Sequence, residues 1–212
     1  MVIESNMVGI EVTVLTPFYY HSVPIAGGSA TLAQCISDTA FNFALASALG
    51  MMEGVCLPIE ADHRHHIGAM PFRSSVLISD NATLLPAQVR RLNLDAEAGY
   101  NSKTSAGTSK GNLKDFYRIQ EVNVGSVYHG VIFGTDPFAL SGQSELVVRV
   151  GKHRQGMIRV KPASLPEMVV LNAYTASVFD REISLSQYLL HTIQLSLPMT
   201  PQSALAEVST WN

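Results

Sequence analysis

Residues 145–161 read ELVVRVGKHRQGMIRVK, and this stretch decides the fold class. On both sides of a central turn, apolar side chains alternate with polar or small ones, which is the period-two pattern of a half-buried strand. The turn runs from Gly151 to Gly156 and carries Lys152, His153 and Arg154. The stretch therefore predicts an antiparallel hairpin with an exposed basic tip.

Further strand patterns surround the hairpin. Residues 8–15 alternate between apolar and other side chains until Pro17, which ends the first strand. Weaker patterns predict short strands at 55–59 and 75–78. Downstream, strand-like runs separated by glycines are predicted at 116–122, 126–133, 145–150, 155–160 and 168–174.

Three helices are predicted. The clearest spans about 38–49, where Phe41, Leu45 and similar residues recur every three or four positions. Ser37 or Asp38 can cap it by accepting a backbone N–H, and Gly50 suits a left-handed C-cap. A second helix is predicted to start at Ser184, and a short one lies in the tail after Pro201.

These elements predict an α+β fold with a ferredoxin-like, RRM-like antiparallel sheet and helices on one face. The chain has 212 residues, of which 47% are hydrophobic, and this composition excludes overall disorder. We expect a single domain that spans residues 1–212. Residues 96–112 read AEAGYNSKTSAGTSKGN and offer almost nothing to bury. They predict an inserted mobile loop, or thumb.

The net charge of −3 hides a strong asymmetry along the chain. Residues 1–63 have six acidic side chains and no Lys or Arg, residues 64–161 have 13 basic against seven acidic, and residues 162–212 have one basic against four acidic. A basic middle between two acidic segments is typical of a polyanion-binding surface, and a solvated basic face without a ligand explains it about as well.

Other residue patterns favour a plain intracellular protein. Cys35 and Cys56 lie in apolar surroundings and are expected to be buried, reduced thiols of a cytoplasmic protein. Neither a membrane span nor an export signal is expected. His63, His65 and His66 lack the spacing of a known metal site and predict a polar surface loop. Ala26–Ser29 matches no nucleotide-binding fingerprint and predicts a flexible turn. Neither pattern therefore predicts a metal or another cofactor.

The predicted RNA-binding residues are the basic side chains on the loop, on the strand after it, and on or beside the hairpin. Basic side chains interleaved with aromatic ones, as here with Tyr100, Phe116 and Tyr117, are how single-stranded RNA is usually held. The residues are Lys103, Lys110, Lys114, Arg118, Lys152, His153, Arg154, Arg159 and Lys161.

Three stretches together resemble a known family. The run Thr16-Pro17-Phe18-Tyr19-Tyr20 after the first strand, the helix at 41–50 reading FNFALASALG, and VVRVGK leading into IRVK are similar to the RAMP-type "Cas five" subunit of type I CRISPR effector complexes, most of all the type I-D version. The resemblance covers residues 8–50 and 116–161. Residues 51–112 depart from it.

The resemblance implies a cytoplasmic, non-catalytic subunit of a Cascade complex, active in antiviral defence. Such a subunit holds the 5′ handle of the CRISPR RNA and contacts the large and backbone subunits. The resemblance also implies that the assembled complex brings the subunit to target DNA. One subtype instead cuts precursor RNA without a metal, and Tyr19, Tyr20 and His21 with Lys152 and His153 could form such a set. A structural assembly protein without nucleic acid is the third alternative.

Overall fold

The computed structural model describes residues 6–25, 28–52, 62–93, 114–151 and 155–211. The described elements are, in chain order, β1 (Met7–Val14), β2 (Ser22–Ile25), β3 (Gly28–Thr31), β4 (Cys35–Ile36), α1 (Asp38–Ala48), α2 (His63–Ala69), β5 (Phe72–Ser74), β6 (Leu77–Ile78), β7 (Gln88–Asn93), β8 (Lys114–Gln120), β9 (Val127–Gly134), α3 (Pro137–Ser141), β10 (Leu146–Val150), β11 (Gly156–Ala163), α4 (Ala173–Val178), β12 (Leu185–Leu190), β13 (Ile193–Ser196) and α5 (Pro201–Val208).

The main sheet is antiparallel and has the strand order β10-β11-β1-β9-β6-β4, with β5 also pairing with β9. The predicted hairpin forms one edge, because β10 and β11 pair from Leu146 opposite Val160 to Val150 opposite Gly156. β1 lies between β11 and β9, and it is antiparallel to both. The predicted α+β class, the first strand and the hairpin are therefore confirmed.

The side-chain alternation of the strands divides the core between the two faces of this sheet. On one face, Ile10 and Val12 of β1 and Ile132 of β9 pack with Phe41 and Leu45 of α1. On the other face, Val131 and Phe133 of β9 pack with Ala204 and Val208 of α5 and with Trp211. The prediction that helices lie on one face is wrong, because the second half of β9, from Gly130 to Gly134, is buried on both faces, with α1 on one and α5 on the other.

A second sheet has the order β2-β3-β8-β7, in which β3 and β8 are parallel and the other pairs antiparallel. β2 and β3 form a hairpin where the sequence predicted only a flexible turn. β7 and β8 pair along their whole length, from Gln88 opposite Ile119 to Asn93 opposite Lys114. The predicted loop 96–112 joins these two strands, and it lies outside the described residues, as do Cys56 and the predicted strand 55–59.

Two predictions in the last third are wrong. Residues 185–196 form the hairpin β12–β13 instead of a helix. Leu185 and Tyr188, which the predicted helix would have buried along one stripe, are exposed in β12. Residues 168–174 do not form a continuous strand, since Asn172 begins α4 and its side chain accepts a hydrogen bond from the Tyr174 N–H. The predicted tail helix is confirmed as α5.

The start of α1 is built differently from the predicted cap. Ser37 occupies the N-cap position, but its side chain makes no capping bond, and its hydroxyl donates to the Asp38 carboxylate at 3.2 Å. Asp38 is buried and also accepts from the Asn172 amide at 2.8 Å. Burial raises the pKa of Asp38. Cys35 is a buried free thiol, as predicted, and burial raises its pKa to about 12.

No helix in the described ranges is long and apolar enough to cross a membrane.

Candidate nucleic-acid interface

The hairpin β10–β11 presents basic side chains on one face of the main sheet. In β10 the buried residues Leu146, Val148 and Val150 alternate with exposed Val147 and Arg149. In β11 the half-buried Arg159 and Lys161 alternate with buried Ile158 and Val160. Arg159 lies opposite Val147 on one side and Thr13 on the other, which places all the unburied residues on the same face.

The two predicted cations on β11 have different surroundings. The Nε of Arg159 is buried and has no hydrogen-bond partner among the described residues. Lys161 lies opposite Glu11, and its ammonium is 3.5 Å from the Glu145 carboxylate. Because both members of the Lys161–Glu145 pair are about half exposed, the pair contributes little stability and leaves the ammonium accessible.

The structure brings only part of the predicted site together. Arg159 and Lys161 share the hairpin face, whereas Arg118 is an exposed residue of β8 in the second sheet. Lys114 begins β8, but its side chain lies outside the described part of the chain. Also outside it are Lys103, Lys110, Lys152, His153 and Arg154.

Arg149 was missed by the sequence prediction, although it is exposed on the same face as Arg159. The signal was its position in β10, one alternation step after Val147, which assigns it to the unburied side. Arg73, by contrast, was counted in the basic middle but is 1% exposed. Its guanidinium donates to the Met70 and Phe72 carbonyls at 2.8 Å and lies over the Phe179 ring.

The hairpin packs against the segment that follows β1. A Cβ added to Gly151 would lie 3.1 Å from the Phe18 Cβ and 3.3 Å from the Tyr19 carbonyl oxygen, and one added to Gly156 would overlap Phe18. The tip between these glycines therefore begins and ends beside Phe18 and Tyr19. Gly151 and Gly156, which flank the tip, therefore lie next to the residues that precede His21. Lys152 and His153 lie outside the described residues.

His21 has an unusual environment. It adopts a left-handed backbone conformation, with φ of 50°. Its ring lies 3.9 Å from that of Tyr20, centroid to centroid. Its Nε2 is buried without a partner in the described part of the chain, and burial lowers its pKa to about 4. His21 is therefore neutral at pH 7, but the buried Nε2 is poorly placed to take a proton from solvent or substrate.

The histidine cluster is a helix and not the predicted loop. Asp62 caps α2 by accepting from the His65 N–H at 2.9 Å, which explains why a helix begins there. Within the described ranges, no group of three or more His, Cys, Asp or Glu side chains is arranged to hold a metal ion.

No protein-family model matches the chain, and a search of curated proteins finds no match. Among solved structures, the chain is similar to a chain in the cryo-EM structure of the type III-B Cmr-beta bound to cognate target RNA and AMPPnP, state 1. The alignment covers 94% of this chain and 88% of that one, at 11% identity and a TM-score of 0.43.

Proposed function

We propose that the protein binds single-stranded RNA on the face of the β10–β11 hairpin, as a non-catalytic, RAMP-type subunit of a CRISPR effector complex. The observation that carries the proposal is the shared position of Arg149, Arg159 and Lys161 on one unburied face. Phosphate oxygens are the natural acceptors for a strip of guanidinium and ammonium groups.

The arrangement of the main sheet supports the RAMP-type assignment. The core order is β11-β1-β9, followed by the two short strands β5 and β6, which both pair with β9 and together take the fourth strand position. With α1 between β1 and β5 along the chain, this follows the order of a ferredoxin-like core. β10 extends that core at the edge, and α5 covers part of the second face. We infer that this is a ferredoxin-like fold with additions, in keeping with the resemblance of residues 8–50 and 116–161 to the "Cas five" family.

The finer assignment follows from that resemblance alone. We propose that the RNA is the 5′ handle of a CRISPR RNA, that the complex is of type I, and that the large and backbone subunits are the protein neighbours in the cytoplasm. The segment 96–112 between β7 and β8 is our candidate thumb, because β7 and β8 pair next to it, with Asn93 opposite Lys114.

The proposed function is tested by the salt dependence of RNA binding. Replacing Arg159 and Lys161 with Gln removes two phosphate contacts, so the slope of log K against log salt should become shallower by about 1.4, at about 0.7 per contact for a single strand. Fluorescence anisotropy with a labelled single-stranded RNA measures the slope.

A matched control removes the same charge elsewhere. Arg64 of α2 pairs with Asp180, and Arg181 pairs with Glu207 of α5, so neither arginine belongs to β10 or β11. Arg64→Gln with Arg181→Gln should leave the slope unchanged. Equal slopes for the hairpin variant and the wild-type protein would refute binding at this face.

A second candidate function is metal-independent cleavage of precursor RNA. The closeness of Gly151 to Phe18 and Tyr19 favours it, because the turn begins beside the residues that precede His21. The proposal of a non-catalytic subunit predicts intact repeat RNA after long incubation with the protein and a chelator. Cleavage that is abolished by His21→Ala would establish the ribonuclease instead.

A further inference from the structure

A cleft lies between α1 and the beginning of the hairpin turn. Its volume is about 760 Å³, within the range of about 300–1,000 Å³ that small-molecule sites occupy. Residues from α1, α2, β10 and the segment after β1 line it. Six of the lining residues carry rings, namely Tyr20, His21, Phe43, His63, His66 and Tyr174.

The rings form groups that suit a planar ligand. Phe43 lies 6.2 Å from His63 and 6.3 Å from His66, centroid to centroid, and Tyr20 lies 3.9 Å from His21. At these distances the rings of each group contact one another, and a further planar ring can pack on their open faces by stacked or edge contacts. The cleft therefore favours a flat heterocycle over a flexible chain.

The charged and polar groups of the cleft suit an anion and hydroxyl groups. Arg149 is the cation of the lining, and no Asp or Glu is among the described residues that line it. The absence is notable because the first 63 residues of the chain contain six acidic side chains. Ser37, Thr39 and Thr192 add hydroxyl groups that can donate to or accept from a sugar or a base edge.

We propose that this cleft binds one nucleotide, with its base against the rings and its phosphate at Arg149. The inference rests on the proposed function and deepens it. Arg149 belongs both to the cleft and to the hairpin face, so an RNA strand on that face can turn one unstacked nucleotide into the cleft. Stacking of single bases on aromatic rings is a common source of affinity in single-strand binding proteins.

The test compares two alanine-to-tryptophan variants. Ala48, at the end of α1, is exposed and lines the cleft, whereas Ala206 is an exposed residue of α5 outside it. Ala48→Trp should fill the cleft and weaken binding of adenosine monophosphate at least tenfold by calorimetry, and Ala206→Trp should leave it unchanged. Both variants are first checked for an unaltered thermal unfolding midpoint, and Ala48→Leu replaces Ala48→Trp if the latter unfolds.

The other ligands separate the parts of the proposal. Inorganic phosphate and adenosine should each bind more weakly than the nucleotide, and a single-stranded RNA should compete with it. The proposal is overturned if the wild-type protein binds no nucleotide, if inorganic phosphate competes equally well, or if both tryptophan variants bind alike. It is also overturned if RNA binds without displacing the nucleotide, which would indicate a site for free nucleotides only.

The two proposals can fail separately. If only the nucleotide proposal fails, the salt dependence of RNA binding still changes when Arg159 and Lys161 are replaced. An unchanged slope in the Arg159 and Lys161 variant, together with nucleotide binding that Ala48→Trp blocks, would instead leave a nucleotide site on a protein that does not bind RNA at the hairpin.

Discussion

At the scale of single residues, burial decides which charges can act. Arg73 and Arg159 are both arginines of the basic middle of the chain, yet Arg73 lies in the core and burial lowers its pKa to about 10. Its two carbonyl acceptors and the Phe179 ring make it a structural residue. Charge counts along the sequence could not separate the two. The alternation in β11 did assign Arg159 and Lys161 to the unburied face.

His21 gives a residue-scale prediction for pH. Its folded pKa of about 4 lies below the ordinary 6.5, so the folded state binds fewer protons than the unfolded chain between these values. The stability contributed by neutral His21 is present above about pH 6.5 and is lost as the pH falls towards 4. Asp38, with its raised pKa, changes stability in the opposite direction.

The variant His21→Asn isolates this effect, because Asn tolerates the left-handed backbone at this position. Thermal unfolding at several pH values between about 7 and 4 should show a smaller loss of stability on acidification for the variant than for the wild-type protein. Parallel pH profiles for the two proteins would contradict a buried neutral His21.

At the scale of elements, strict period-two alternation predicted strands correctly, whereas helical spacing predicted one helix that does not form. The hairpin and β1 were predictable because their apolar residues alternate strictly against a core. The spacing of Leu185, Tyr188 and Leu189 resembled a helix, but Leu185 and Tyr188 face solvent in β12. Asn172 explains the other error, since its side chain caps α4 and also accepts from the Gln194 N–H of β13 at 3.0 Å. Long-range contacts of one polar residue cannot be read from local sequence.

The packing of the hairpin on Phe18 gives a prediction at this scale. Gly156→Ala adds a Cβ that would overlap Phe18, so the variant should lose about 1–3 kcal/mol of unfolding free energy through overpacking. Gly68→Ala is the matched control. Gly68 lies within α2, and a Cβ added there would be 3.9 Å from the Phe179 ring, which is an ordinary contact. Replacing this helical glycine with alanine should stabilise the protein by about 0.5–1 kcal/mol.

Denaturant unfolding measures both variants. A Gly156→Ala protein as stable as the wild type would show that the hairpin turn does not rest on Phe18.

At the scale of the whole molecule, charge is separated along the chain, and one long stretch near its end has no charged side chain. No Asp, Glu, Lys or Arg occurs between Glu182 and Glu207. In that stretch Leu185, Tyr188 and Leu197 are exposed, and β12 pairs only with β13 among the described strands. Such a surface fits the proposed place among protein neighbours in an assembly.

The fold class was predictable from sequence, whereas the two-sided core was not, because which helix covers which face depends on contacts between distant segments.

The central claim is that RNA lies on the β10–β11 face, and photo-crosslinking locates it directly. RNA that carries 4-thiouridine is irradiated with the full chain, and the crosslinked peptides are identified by mass spectrometry. We predict crosslinks on the hairpin, within 145–163, and their loss when Arg159 and Lys161 are replaced by Gln. Crosslinks that fall instead on α5 or the β12–β13 hairpin, and that survive this replacement, would contradict the claim.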